Sequence, residues 1–179
     1  MAILKQQPYI SEQEYLEGEL LTDIKHEYIE GEVYAMAGAH RNHVRLSDNV
    51  LGILLAHLKG KPCQPFGSDM KVKVGKNYFY PDVIVDCSDD EHDYYTKFPT
   101  IIVEVLSKST RQKDKTLKRD LYLTIPTLQE YIMIEQDFVD ELGKVTKFET
   151  PAPRGAVKLV AAESAEDLIG LLHSEAKVI

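Results

Sequence analysis

The sequence predicts an α/β domain with an αβββαβ core and a mixed sheet, preceded by a short helix and hairpin and followed by a hairpin and helix. Three patterns carry this. Residues 40–58 place Val50, Leu51, Leu54, Leu55 and Leu58 on one helical face, with His43 and Ser47 on the same side. Residues 70–74 then alternate with period two, and a turn at Gly75-Lys76-Asn77 leads into a run that continues through residues 82–87. Residues 101–106 are apolar except for Glu104, the pattern of a strand covered on both faces. A second helix and a last strand complete the order, so the helix must cross over between flanking strands of one sheet.

Each flanking element has local grounds. Ser11 and Glu14 have capping-box spacing, and Ile10 and Tyr15 sit where a hydrophobic staple would, so a short helix starts there and ends near Gly18. Residues 26–36 form a hairpin: Tyr28, Val33 and Tyr34 favour pleated structure and Gly31 permits the turn. Ser109 and Gln112 open the second helix, which runs to about Thr124 ahead of Pro126 and is followed by a strand over residues 130–135. Residues 138–142 and 144–148 suggest a hairpin around Gly143, and Ser164 caps a final helix bearing Leu168, Leu171 and Leu172.

With 179 residues, 44% of them hydrophobic, the chain suits one domain over residues 1–179, its core about 40–136 and its decorations 10–36 and 137–175. Apolar runs fall far short of the ~20 residues of a membrane span, and no secretory signal is visible. Cys63 and Cys87 show neither finger spacing nor a disulfide framework, which fits reduced thiols in a cytoplasmic protein. The net charge of -8 opposes non-specific attraction to nucleic acid, so any DNA contact must be local. Between residues 108 and 120 stand Lys108, Arg111, Lys113, Lys115, Lys118 and Arg119 against Asp114 and Asp120, a run that reads first as a solvated helix face.

Nucleotide-binding glycine loops, the G-x-S-x-G elbow and H-E-x-x-H are all missing from the sequence. His40 and His43 stand three apart at a helix start, where capping or packing is the plain reading. The sharper signal is a pair of acids on two strands, Asp82 and Glu104. A carboxylate inside an apolar strand is costly without a cation, whether a divalent metal or a buried Lys or Arg in a structural ion pair. Hard oxygen donors of this kind suit Mg²⁺. On a helical wheel of ~100° per residue Lys118 falls within the apolar stripe with Leu121, Tyr122 and Ile125, Lys113 and Arg119 project away from it, and Lys115 lies at its margin. Two acids and an inward lysine are what metal-assisted phosphodiester hydrolysis requires.

Tyr80-Pro81-Asp82, the run Ile102-Val103-Glu104-Val105-Leu106-Ser107-Lys108-Ser109-Thr110-Arg111, and the spacing of Asp114, Lys118 and Tyr122 resemble a restriction endonuclease family abundant in cyanobacteria, within the PD-(D/E)XK nuclease superfamily. Residues 27–32 and 39–43 share the likeness, which spans about residues 10–150, and the αβββαβ order is similar to the superfamily's restriction-endonuclease-like fold. The resemblance implies Asp82 and Glu104 as ligands of Mg²⁺ or Mn²⁺, with the backbone carbonyl of Val105 as a third. The superfamily lysine two residues after the acid is replaced here by Leu106. Lys118, rather than Lys115, resembles the migrated replacement. Glu32 and His43 join as accessory residues, a further ligand and a site-facing imidazole, beside their plain readings as a hairpin-edge acid and a helix cap. The expectation is a Mg²⁺-dependent DNA endonuclease acting as a homodimer. The alternatives are an inactive DNA-binding or interaction module of the same fold and a hydrolase of a non-nucleic phosphoester.

Overall fold

The computed structural model describes residues 9–89, 92–138 and 157–158. Helix α1 (Glu12–Glu19) carries the expected capping box, with Ser11 and Glu14 bonding each other's backbone N–H. Strands β1 (His26–Ile29) and β2 (Glu32–Ala35) form the hairpin. Its turn residues Glu30 and Gly31 both have positive φ, 47° and 101°, the backbone that matches the right-handed twist of the strands. Helix α2 (Arg41–Leu58) is capped by His40, whose Nδ1 accepts from Asn42 N–H, so that imidazole performs the capping role.

Sheet formation departs from expectation. In place of one mixed sheet the described residues form two. Strands β3 (Gln64–Gly67), β6 (Val83–Asp86), β8 (Pro99–Leu106), β9 (Glu130–Glu135) and β10 (Val157–Lys158) make one sheet in the order β10-β9-β8-β6-β3. Strands β4 (Lys71–Val74), β5 (Asn77–Phe79) and β7 (Tyr95–Thr96) join the hairpin in the other, ordered β2-β1-β5-β4-β7. The αβββαβ order survives as α2, β3, β6, β8, a helical segment and β9, with β4 and β5 leaving the core sheet between β3 and β6. In residues 70–74 Val72 and Val74 face the core as the alternation predicts, but from the second sheet, and Lys71 is buried too. β3 escaped notice because Pro65 and Gly67 weaken its strand pattern, and an edge strand tolerates them.

The first sheet is the central layer. Leu46, Val50, Leu54 and Leu58 of α2 pack on Val83, Val85, Ile101, Val103 and Val105. Its opposite face, with Ile84, Ile102 and Leu106, meets Val72, Val74 and Phe79 of the second sheet together with Tyr122. After β8 the chain forms α3 (Arg111–Lys113), a π-helical turn (Asp114–Lys118) and α4 (Arg119–Tyr122). The N-cap of this segment is Thr110, which makes no side-chain capping bond; in the turn ahead of it the Ser107 hydroxyl, not the expected Ser109, accepts from Thr110 N–H. Phe138 ends a 3-10 turn (Gln136–Phe138), and the rest of the hairpin expected over residues 138–148 and the helix after Ser164 lie outside the described residues. Among the described residues no helix is long and apolar enough to cross a membrane.

The cysteines correct the expectation of reduced thiols. Cys63 and Cys87 close a disulfide with Cα atoms 4.0 Å apart. The pairing of Gln64 with Asp86 brings the next residues along β3 and β6 face to face, so the unrecognised strand also hid the bridge. For a sequence separation of 24, loop-closure entropy implies about 3 kcal/mol. Cys63→Ser/Cys87→Ser protein is therefore expected to show a lower urea midpoint than the oxidised parent, and equal midpoints would contradict the bridge.

Candidate active site

Register and alternation assemble the acids. Val83 pairs with Val103 and Ile84 with Ile102, so the next residues, Asp82 and Glu104, stand side by side at the end of the β6–β8 pair. Since Val103 and Val105 face α2, Glu104 points to the other face, toward the π-helical turn. Pro81 precedes Asp82 and offers no N–H to the ladder. Asp82 Oδ2 accepts from the Val105 backbone N–H at 2.6 Å and lies 3.4 Å from His43 Nε2 in the first turn of α2. The α2 helix thus brings His43 beside Asp82, 15% exposed.

Lys118 reaches this pair from the helical segment. Its ammonium donates to Glu104 Oε1 at 3.1 Å and lies 2.9 Å from Glu27 Oε1 and 3.2 Å from Asp114 Oδ1. The Tyr122 hydroxyl also donates to Glu104 Oε1, at 3.3 Å. Phe79 lies beneath the cluster, its ring centroid 5.7 Å from Lys118 Nζ and packed edge-on against Tyr122. Tyr131 donates its hydroxyl to the Asp114 carbonyl and so satisfies a buried backbone acceptor within the π turn.

Glu27 was missed by sequence reasoning, and Glu32 was chosen in its place. Glu32 is exposed and accepts from Tyr34 next to it, whereas Glu27 is buried and bridges Lys118 and Lys113, the latter at 2.5 Å. The wheel also misjudged Lys113. An α-helix sets residues five apart ~140° from each other. The π turn, with i→i+5 bonding, brings them to one side, and Lys113 and Lys118 share an acid. No signal in the residues marks that turn in advance.

The basic run stays at or near the surface apart from Lys118, but most of its cations are ion-paired. Arg111 pairs with Glu135 and Asp137, Lys115 with Glu135, and Arg119 with Asp120, in addition to the pairs of Lys113 and Lys118. Of these cations only Lys118 is buried; Lys113 is partly so, and Arg111, Lys115 and Arg119 make their ion pairs at the surface.

Burial and charge set the protonation of the centre. Burial pushes the Glu104 carboxyl well above the usual range against the pull of Lys118. It also raises Asp82, although His43 and the Val105 N–H oppose it. Burial alone would lower Lys118, but Glu104, Glu27 and Asp114 outweigh it and hold the ammonium well above its ordinary value. Glu27 is likewise penalised by burial, yet Lys118 and Lys113 bring it below the carboxylate range.

A divalent ion fits this donor set by its chemistry, hard carboxylate oxygens. Glu27, Asp82, Glu104 and Asp114 face two ammonium groups, Lys113 and Lys118, so carboxyl groups outnumber cations there. Asp114 Oδ1 is buried and, despite its closeness to Lys118, in no hydrogen bond. Among the described residues no three His, Cys, Asp or Glu side chains converge to enclose an ion. Mg²⁺ asks for less, since one or two carboxylates plus waters and substrate oxygens suffice.

Residues 12–168 match the Uma2 family model, described as "Putative restriction endonuclease". The chain belongs to the Uma2 family. Two relatives from Synechocystis sp. (strain ATCC 27184 / PCC 6803 / Kazusa) are similar to it. "Uncharacterized protein slr1290" is 36% identical over 137 residues, covering 74% of this chain and 72% of the relative. "Uncharacterized protein sll1609" is 39% identical over 129 residues, covering 69% and 73%. The fold resembles a crystal structure from Anabaena variabilis ATCC 29413 described as "a putative nuclease belonging to DUF820", with a TM-score of 0.60, 21% identity, and 72% and 75% of the two chains covered. Within the Uma2 domain the elements that meet at Asp82, Glu104 and Lys118 all fall inside the matched span.

Proposed function

We propose that this Uma2 protein is a Mg²⁺- or Mn²⁺-dependent DNA endonuclease with Asp82, Glu104 and Lys118 as its working residues. The single observation that carries the reading is the juxtaposition of two adjacent-strand carboxyl groups with a buried lysine, in a pocket where four carboxyl groups meet two ammonium groups. Asp82 and Glu104 would hold the ion, with the Val105 carbonyl beside them. The ion, when bound, would supply Lewis acidity toward a phosphate oxygen and lower the pKa of a bound water.

The protein's own groups do the rest. His43 and the Val105 N–H orient Asp82, and Tyr122 and Lys118 orient Glu104. The Lys118 ammonium places a fixed positive charge where negative charge builds on the phosphate oxygens. Phe79 and Tyr122 keep the floor of the site apolar, which strengthens that charge. Cutting both strands of a duplex takes two such centres, so the working form is a homodimer.

A second reading, an inactive DNA-binding or interaction module, draws on the direct Glu104–Lys118 pair and on Leu106 at the usual lysine position. Metal calorimetry and cleavage assays separate the two. Because burial keeps protons on Asp82 and Glu104 above the ordinary carboxylate range, an ion must displace them. Mn²⁺ affinity is therefore expected to rise with pH over that range, with proton release visible as a dependence of the measured heat on buffer. Absence of Mn²⁺ binding at any pH would favour the inactive module, and so would binding with no cleavage of single- or double-stranded DNA.

A further inference from the structure

We propose that Glu27 is a positioning residue: from the N-terminal hairpin it clasps Lys113 and Lys118 across the π-helical turn and keeps the Lys118 ammonium in the centre when Glu104 engages a metal ion. The catalytic meaning of the clasp rests on the nuclease reading above; the clasp itself does not.

Glu27 is the closest of three carboxylates to Lys118, at 2.9 Å against 3.1 Å for Glu104 and 3.2 Å for Asp114. Its other oxygen is fixed by Lys113 at 2.5 Å, so the carboxylate cannot swing away. Its strand is fixed as well. Glu27 pairs with Tyr34 in β2, Tyr28 pairs with Tyr78 in β5, and the Tyr28 ring stacks on Tyr15 of α1. A cation held by Glu104 would draw that carboxylate's charge from Lys118 and repel the ammonium. Lys118 then needs a partner other than Glu104, and Glu27, which reaches it from the other sheet, is at 2.9 Å. The hairpin, outside the αβββαβ core, becomes part of the catalytic apparatus.

The full chain, labelled with ¹⁵N-lysine, tests this through its slowly exchanging side-chain ammonium resonances, with Lys118 assigned by its loss in Lys118→Arg. Wild-type protein is expected to show the Lys118 signal and Glu27→Gln to lose it. Cleavage in Glu27→Gln should fall about 10–100-fold in kcat, with KM and Mn²⁺ affinity within about twofold of wild type. Glu27→Asp retains the charge and should recover part of that loss. A folded Glu27→Gln protein that keeps the Lys118 signal, or cuts at the wild-type kcat, would overturn the proposal, as would a Glu27→Asp protein no better than Glu27→Gln. If Glu27→Gln does not fold, the Glu27→Asp spectrum decides: a displaced Lys118 signal is expected, and an unchanged one overturns the clasp. If wild-type protein cuts nothing, the nuclease reading fails and the ammonium spectra alone decide the clasp.

Discussion

Glu104→Gln is expected to lose cleavage by a factor on the order of 10³ while melting no lower than the parent protein at neutral pH. The two effects have one cause. Burial raises the folded-state pKa of Glu104 above its unfolded value, so the folded state holds this proton more tightly. The folded state is therefore favoured at low pH, and that advantage is lost as pH rises from the ordinary carboxylate range through the folded pKa. A neutral amide of the same shape removes the penalty and can still accept from Lys118 and Tyr122. Thermal melts across pH should show the variant's stability falling less steeply than the parent's over that window. A variant that melts lower at neutral pH would mean that the ionised Glu104–Lys118 pair is net stabilising, contrary to this account. Mn²⁺ binding should weaken together with cleavage, because the amide oxygen is a poorer donor than a carboxylate.

Lys118→Met should behave in the opposite way toward stability. It leaves Glu104, Asp114 and Glu27 buried without their common cation, and stranding buried charges costs about 3–5 kcal/mol. Lys113 still neutralises Glu27, and proton uptake by Glu104 limits the remainder. Destabilisation should thus grow as pH rises and shrink as the acids take up protons. Urea unfolding at two pH values measures this. Cleavage should be lost, while Mn²⁺ affinity should be retained or increased, because the pocket has gained a negative charge. Loss of Mn²⁺ binding in a folded Lys118→Met protein would show that the lysine organises the ligands, and would remove the division of labour proposed here.

The acids of the centre were legible for a simple reason. Glu104 interrupts an apolar strand, and a buried charge in such a run demands a partner. Asp82 could be paired with it because adjacent antiparallel strands bring distant residues into register. Lys118 was legible from its place in an apolar stripe, although the wheel that located it assumed an unbroken α-helix. That same assumption hid Lys113, since a π turn alters angular phase without altering composition. Glu27 was hidden by distance: its partner Lys113 is 86 residues away, and β1 has buried residues on both sides. The two-sheet arrangement was hidden because β4 shows the same alternation whichever sheet it joins. The ion-pair partners of the helical run were hidden for a related reason, since Glu27 and Glu135, which engage its cations, come from other elements.

The π-helical turn has a consequence for how such a chain can change. One residue deleted between Asp114 and Lys118 would let the segment relax into ordinary α-helix without breaking it. The surviving lysine would then point elsewhere, and both acids would remain in place. On the nuclease reading, a descendant that has lost one such codon keeps its aspartate and glutamate intact, and the helix length between Thr110 and Tyr122 becomes as informative as the acids themselves.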